Sequence, residues 1–203
     1  IMPSLVGSEM CIRDRYGNSL NLPKKESMAP NPLSHYAVSK LAGENYMSVY
    51  SYLYNIETIC LRYFNVFGPN QDPNSEYSAV IPKFIKTMKK NESPTIFGDG
   101  LQTRDFTYVD NIVKANLVAS TKKTNSPLIM NCATNCKISL LELVKCINEI
   151  LGKSIKPIFD NPQQGDIKHS YADTSLIKKE LNFSPQIDFD EGIINTVEFF
   201  KSF

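Results

Sequence analysis

The stretch SHYAVSKLAGENYMSVYSYLYNIETICLRYFN, residues 34–65, decides the fold. Ser34 is a good helix N-cap, because its hydroxyl can accept a bond from an unpaired backbone N–H of the first turn. Tyr36, Leu41, Tyr46, Val49, Tyr50 and Leu53 recur mostly three or four apart. That spacing predicts a long helix over 35–54, with Asn55 at its end. Ile56 to Tyr63 is β-branched and apolar and reads as a strand. A strand directly after a long helix predicts an α/β unit with a parallel sheet.

The rest of the chain repeats the alternation. Residues 18–34 are rich in Asn, Ser and Pro and read as a surface loop. Gly68, Pro69 and Pro73 break regular structure after Asn65. Val80 to Lys90 reads as a helix with Pro82 in its first turn, where the missing N–H does no harm. Thr95 to Phe97 is a short strand before a Gly98-Asp99-Gly100 turn, and Phe106 to Val109 is a short extended piece. Asp110 is expected to cap a helix to about Ser120, and Leu128 to Asn131 is a strand. Ser139 with Glu142 forms a capping box for a helix to Leu151, which Gly152 ends. Ile155 to Phe159 reads as a strand, and Thr174 as the cap of a short helix to Leu181. Phe189 to Phe200 reads as a helix with Ile193, Ile194, Val197 and Phe200 facing inward. Residues 1–15 show neither alternation nor a helical face and read as foreign to the remainder of the chain.

Composition excludes several functions. The net charge is +1, from 22 basic and 21 acidic residues, and no window is dominated by Lys and Arg, so nucleic acid is not an expected partner. The apolar runs are only a few residues long, so neither a membrane span nor a signal peptide is expected. Cys11, Cys60, Cys132, Cys136 and Cys146 are an odd number without framework spacing, and read as reduced thiols of a cytoplasmic protein. Cys132 and Cys136 have no matching cluster, and only His35 and His169 occur in the chain, so no metal site is expected.

Tyr36 and Lys40 are the residues suited to chemistry. At i and i+4 they share one helix face. A phenol is a poor base near neutrality, but an adjacent ammonium favours the phenolate. Such a pair can take a proton from a sugar hydroxyl as hydride leaves the same carbon for a nicotinamide. Lysine can also hold the cofactor's ribose hydroxyls. The same spacing arises on ordinary amphipathic surfaces. Asn65 lies past a strand end, where α/β sheets bind ligands, and its amide can both donate and accept. Arg104 comes after a Gly-Asp-Gly turn and suits a diphosphate, or a surface pair with Asp99 or Asp105. His35 reads as helix context and His169 as structural or solvent-facing. No glycine-rich dinucleotide fingerprint occurs.

Four stretches carry a resemblance: NPLSHYAVSKLAGE at 31–44, LRYFNVFGPNQDPNSEYSAVIPKFI at 61–85, IFGDGLQTRDFTYVDNIVKA at 96–115 and GDIKHSYAD at 165–173. From about residue 16 onward the chain resembles the extended short-chain dehydrogenase/reductase family of NAD-dependent nucleotide-sugar epimerases and dehydratases. Within it the likeness is nearest to bacterial UDP-N-acetylglucosamine 4-epimerases of surface-polysaccharide synthesis. The resemblance implies an α/β fold: the C-terminal part of a Rossmann-like parallel sheet plus a smaller α/β substrate-binding domain. Residues 16–79 would belong to the dinucleotide-binding domain. Residues 80–203 would be mainly substrate-binding, interleaved with Rossmann elements at about 105–135.

The resemblance also implies roles. Tyr36 would be the base, and Lys40 its partner and the cofactor's ribose anchor, with Tyr63 and Phe64 packed near the nicotinamide. Asn65 and Arg104 would hold the sugar diphosphate. Val80, Ile81 and Phe84 would line the nucleotide site, and Ile96 and Phe97 would lie against the uracil. Asp166 and Ser170 would be on the substrate, where a small serine in place of a bulky tyrosine leaves room for an N-acetyl group. The position of the family's catalytic Ser or Thr is Ile12, and that of a diphosphate arginine is Gln163. The family's N-terminal dinucleotide half would be missing, so this chain is expected to be inactive alone. The implied reaction exchanges UDP-N-acetylglucosamine and UDP-N-acetylgalactosamine at C4 with bound NAD, in a protein that is a homodimer when full length. The alternatives are a UDP-glucose or UDP-glucuronate epimerase, a decarboxylase, a 4,6-dehydratase, or a UDP-sugar-binding fragment without catalysis.

Overall fold

The computed structural model describes residues 13–17, 19–74, 80–162 and 168–202. A short turn of helix, α1 (Arg13–Tyr16), precedes the long α2 (His35–Tyr54). Then come β1 (Ile59–Tyr63), β2 (Val66–Phe67), α3 (Val80–Lys89) and β3 (Thr95–Phe97). Next are β4 (Thr103–Arg104), β5 (Thr107–Tyr108), α4 (Val109–Thr121) and β6 (Leu128–Cys132). The chain ends through β7 (Ile138–Ser139), α5 (Leu140–Leu151), β8 (Ile158–Asp160), α6 (Ser175–Leu181) and α7 (Phe189–Lys201).

Strands pair across helices, as an α/β chain requires. β1 runs parallel to β6 with Ile59 opposite Leu128 and Tyr63 opposite Cys132, and α4 lies between them in sequence. β2 pairs in parallel with β5, β3 in parallel with β8, and β4 antiparallel with β7. Side chains of β1 alternate faces. Ile59 and Leu61 pack with Ile112, Ala115 and Ala119 of α4 and Ile177 and Leu181 of α6. Arg62 points the other way, onto Glu44 of α2.

A second cluster brings α3, α5 and α7 together through Ile81, Phe84, Leu143, Ile147, Ile193 and Val197. Phe67 is its hinge, with ring centroids 6.2 Å from Phe106, 5.7 Å from Tyr108 and 5.8 Å from Phe189. Ile194, expected to face inward on α7, is exposed instead, because the buried stripe runs through Phe189, Ile193, Thr196 and Val197.

Helix ends obey local chemistry. Ser34 Oγ accepts from Ala37 N at 3.0 Å, and Asn55 ends α2 at φ +52°. Asp110 is not a cap: α4 starts one residue earlier, from the extended Tyr108, and Asp110 sits in the first turn, where its charge suits the helix dipole. Thr174 precedes α6 without a side-chain cap bond, and Asp173 Oδ1 accepts from Ser175 N at 2.8 Å. α5 has both halves of its capping box: Glu142 N donates to Ser139 Oγ at 3.1 Å, and Ser139 N to Glu142 Oε2 at 2.7 Å. Ser139→Ala is therefore expected to lower stability by about 1 kcal/mol, read as an earlier urea midpoint with an unchanged slope.

Candidate active site

α2 delivers its pair at the N-terminal end. The Lys40 ammonium lies 5.2 Å from the centroid of the Tyr36 ring. Tyr36 is half-buried and its phenol oxygen is shielded from solvent. A cation at this distance over an aromatic face is attracted to it.

Farther along, α2 is unusual. Its buried residues are Ala37 and Glu44, while Val38, Tyr46, Val49, Tyr50 and Leu53 are exposed, Tyr46 by 65%. The stripe that predicts the helix therefore points away from the sheet. Glu44 holds α2 to β1 instead. Its Oε2 accepts from Arg62 Nη2 at 2.7 Å, and its Oε1 accepts from Arg62 Nε at 3.1 Å and Arg15 Nε at 3.0 Å. Arg62 Nη1 donates to the Tyr16 hydroxyl at 2.8 Å, which donates to Asn131 Oδ1 at 2.7 Å. Burial alone would lower the Arg62 pKa, but the bonds to Glu44 and the neighbouring Tyr16 hold it above its ordinary value.

Asn65 leaves β1 in the left-handed region at φ +34°, and its Oδ1 is buried with no hydrogen-bond partner among the described residues. Its carbonyl accepts from Thr107 N at 3.2 Å. Phe64 is buried with Tyr16, Ala133 and Ala172. Tyr63 turns to the opposite face of β1 from α2, where its hydroxyl donates to Asn116 Oδ1 of α4 at 2.7 Å. Tyr63 and Tyr36 are thus on opposite sides of the strand. Ile81, Phe84 and Ile96 are core side chains, packed among α3, α5 and α7, whereas Val80 is half-buried and Phe97 exposed.

Arg104 and Ser170 meet across a backbone bridge. Ser170 N donates to the Thr103 carbonyl at 3.1 Å, and Arg104 Nη1 donates to the same carbonyl at 2.9 Å. Ser170 is 2% exposed, with its Oγ unpartnered among the described residues. His169 Nδ1 and Thr103 Oγ1 are 3.0 Å apart. The acids considered as Arg104's surface partners are engaged elsewhere: Asp99 with Lys168 at 3.2 Å, and Asp105 in the interior. Asp105 Oδ1 accepts from Thr134 N at 3.0 Å and Thr134 Oγ1 at 2.7 Å. Its Oδ2 accepts from Asn135 N at 3.0 Å and Ala172 N at 3.3 Å. Burial pushes its pKa up to about 6, against the pull of these bonds.

Ile12, Gln163 and Asp166 lie outside the described residues. Cys132 is buried at the end of β6, where burial pushes its thiol up to about 12, and Cys136 is exposed in the following loop. Among the described residues no cluster of three potential metal ligands forms, and no helix is long and apolar enough to cross a membrane. The sequence reading missed Glu44, Arg62, Asn131 and Asp105 as parts of the site. Glu44 did carry a signal, since 36, 40 and 44 continue one i+4 series.

Known proteins are similar to this chain in sequence and fold. The NAD dependent epimerase/dehydratase family matches residues 14–133. A putative UDP-glucose 4-epimerase of Methanocaldococcus jannaschii is 44% identical, over 92% of this chain and 60% of its own length. Among solved structures, a UDP-N-acetylglucosamine 4-epimerase from Methanobrevibacter ruminantium M1, in complex with UDP-N-acetylmuramic acid, superposes with a TM-score of 0.89 at 39% identity, over 99% of this chain and 62% of that one. A UDP-glucuronic acid 4-epimerase from Bacillus cereus, in complex with UDP-glucuronic acid and NAD, gives 0.84 at 33%, over 93% and 59%. The chain spans about 60% of the length of such relatives. The fold is that of Rossmann-like epimerases. On the match to residues 14–133, the chain belongs to the NAD dependent epimerase/dehydratase family.

Proposed function

We propose that this chain carries the proton-transfer pair and the substrate contacts of a UDP-sugar 4-epimerase that interconverts UDP-N-acetylglucosamine and UDP-N-acetylgalactosamine. The observation that carries the reading is the Lys40 ammonium 5.2 Å from the Tyr36 ring centroid. The β1–β6 layer with α2, α4 and α6 is the cofactor-binding part, and the α3–α5–α7 cluster belongs to the substrate part.

The residues present fit one end of NAD. A lysine beside a phenol suits a ribose hydroxyl and the nicotinamide's neighbourhood, whereas the sequence has no glycine-rich turn for the pyrophosphate. When bound, NAD supplies a hydride acceptor and donor at sugar C4. The chain's own part is the proton: the Tyr36 phenolate oxygen takes it from the C4 hydroxyl as the carbonyl forms, and returns it to the same sugar oxygen after the sugar has turned. Lys40 favours the phenolate, because an ammonium nearby stabilises the negative charge. Arg104 and Asn65 hold the diphosphate, and binding energy on that remote handle lets the sugar turn without leaving.

Ser170 supports the acetamido sugar: it is small, and its hydroxyl has no partner among the described residues. We also read the exposed apolar face of α2 as the contact between two copies, and the free cysteines as those of a cytoplasmic protein. The test compares turnover of UDP-N-acetylglucosamine, UDP-glucose and UDP-glucuronate by the full gene product, with calorimetry of UDP-sugar and NAD on this chain. UDP-N-acetylglucosamine is expected to lead in kcat/KM by about 10-fold or more. A lead for UDP-glucose sinks the sugar assignment. Binding without any conversion sinks the reaction and leaves a UDP-sugar-binding fragment.

A further inference from the structure

α2 carries the reactive pair, yet the sheet does not hold it by an apolar stripe. In a helix of 20 residues the buried side chains are Ala37 and Glu44. Tyr46, Val49, Tyr50 and Leu53 were available for packing and face outward. Adhesion alone would favour the opposite arrangement, because a buried ion pair is a poor source of stability beside well-packed apolar groups. What a bidentate pair supplies is geometry. The planar Arg62 fork meets both Glu44 oxygens, at 2.7 and 3.1 Å, and a rotation of α2 or a slide by one turn would break both bonds.

The fork itself is fixed. Arg62 stands on β1 and its remaining nitrogen donates to Tyr16 at 2.8 Å. Tyr16 is tied to Asn131 of β6, whose Nδ2 donates to the carbonyls of Lys24 at 2.9 Å and Asp173 at 3.3 Å. Tyr36, Lys40 and Glu44 are successive i+4 positions. We propose that Glu44 and Arg62 are positioning residues for the Tyr36–Lys40 pair: their buried bidentate contact sets the rotation and height of α2 on β1, and so where the phenol oxygen and the ammonium stand. The inference rests on the catalytic reading of that pair under Proposed function.

The test uses three variants. E44M/R62M removes both charges at similar volume but also takes an acceptor from Arg15 and a donor from Tyr16, so its melting temperature should fall and it is compared well below that temperature. E44D keeps both charges but withdraws the carboxylate by one methylene. R62K keeps the charge but loses the fork. The first readout needs no turnover: the nuclear Overhauser contacts between α2 and β1, those of the buried Ala37 methyl included, in NMR spectra of this chain. They should weaken or change partners in E44M/R62M and E44D, because a helix that turns or slides as one body keeps its internal i+4 spacings and alters only its contacts with the sheet. In the full gene product kcat should fall about 10- to 100-fold with KM within about 2-fold, and R62K should not restore it. Unchanged α2–β1 contacts and kcat in E44D, or in E44M/R62M well below its melting temperature, overturn the proposal. An upfield ring-current shift of the Lys40 ε-methylene protons, assigned by its loss in Y36L, that is missing in the unmodified chain overturns the catalytic geometry instead, which separates the two failures.

Discussion

Replacing Tyr36 by phenylalanine is expected to lower kcat for the UDP-sugar about 10³-fold, within the range a positioned acid–base group contributes, while KM moves by less than about 3-fold. The substitution removes one atom, the oxygen that exchanges a proton with the C4 hydroxyl in the proposed reaction. The ring remains, so the Lys40 contact at 5.2 Å and the packing of the helix start survive. Stability should therefore be nearly unchanged, and far-ultraviolet circular dichroism melts of the variant and the unmodified protein should coincide. Lys40→Met should cost less in kcat and more in cofactor affinity, because the ammonium has two proposed tasks and only one of them is chemical. A Tyr36→Phe variant that loses affinity but keeps kcat would mean that the phenol binds rather than reacts.

What the sequence made legible was whatever local chemistry determines. The capping box at Ser139 and Glu142, the left-handed stops at Asn55 and Gly152, and Pro82 in the first turn of α3 are all where the residue types require them. Periodicity was read correctly as helix for α2, but it reports only that residues share a face and not what covers that face. The stripe of Tyr46, Val49, Tyr50 and Leu53 looks the same in sequence whether it meets the sheet or solvent. The strand after Pro157 begins at Ile158 rather than Ile155, because Ile155 is engaged with Asn148 through both its N–H and its carbonyl. The orientation of Tyr63 is set by alternation: an odd position on a strand whose even position, Arg62, faces α2 must face α4.

The polar interior was illegible for a different reason. Glu44, Arg62, Asn131 and Asp105 are residue types that usually lie outside, and each is buried because a distant segment supplies its partners. Arg62 and Glu44 are 18 positions apart, Tyr16 and Asn131 are 115, and Asp105 and Ala172 are 67. No single helix or strand contains both members of such a pair, so the periodicity of an element cannot show it. The same holds for Ser170 and Thr103, whose backbone bridge puts a residue of the C-terminal part beside Arg104.

Asp105→Asn is expected to destabilise the fold by about 2 kcal/mol near pH 7.5 and by about 4 kcal/mol near pH 4.5. The first figure comes from the donors. Both carboxylate oxygens of this fully buried residue face N–H or O–H groups, Thr134 on one side and Asn135 with Ala172 on the other. An amide has one oxygen, so one pair of donors must meet an NH2 group and go unmatched in the interior. The pH dependence comes from burial, which raises the folded-state pKa from 3.8 to about 6. A raised carboxyl pKa means that the folded state binds its proton more tightly than the unfolded chain does. The stability so gained is full only well below pH 3.8 and is lost as the pH rises through about 6, a change of about 3 kcal/mol in all at 1.36 kcal/mol per unit, of which about 2 kcal/mol falls between pH 4.5 and 7.5. Asparagine has no such slope, and the other titrating groups are common to both proteins, so the gap between their urea-derived stabilities must narrow as the pH rises. A gap that stays constant from pH 4.5 to 7.5 means that Asp105 is ionised throughout, with its donors outweighing burial. In either case the same substitution loosens residues 134–136 from residue 172, two positions from Ser170 and next to Arg104. UDP-sugar affinity should therefore fall in step with stability, whereas the Tyr36 variant leaves both nearly untouched.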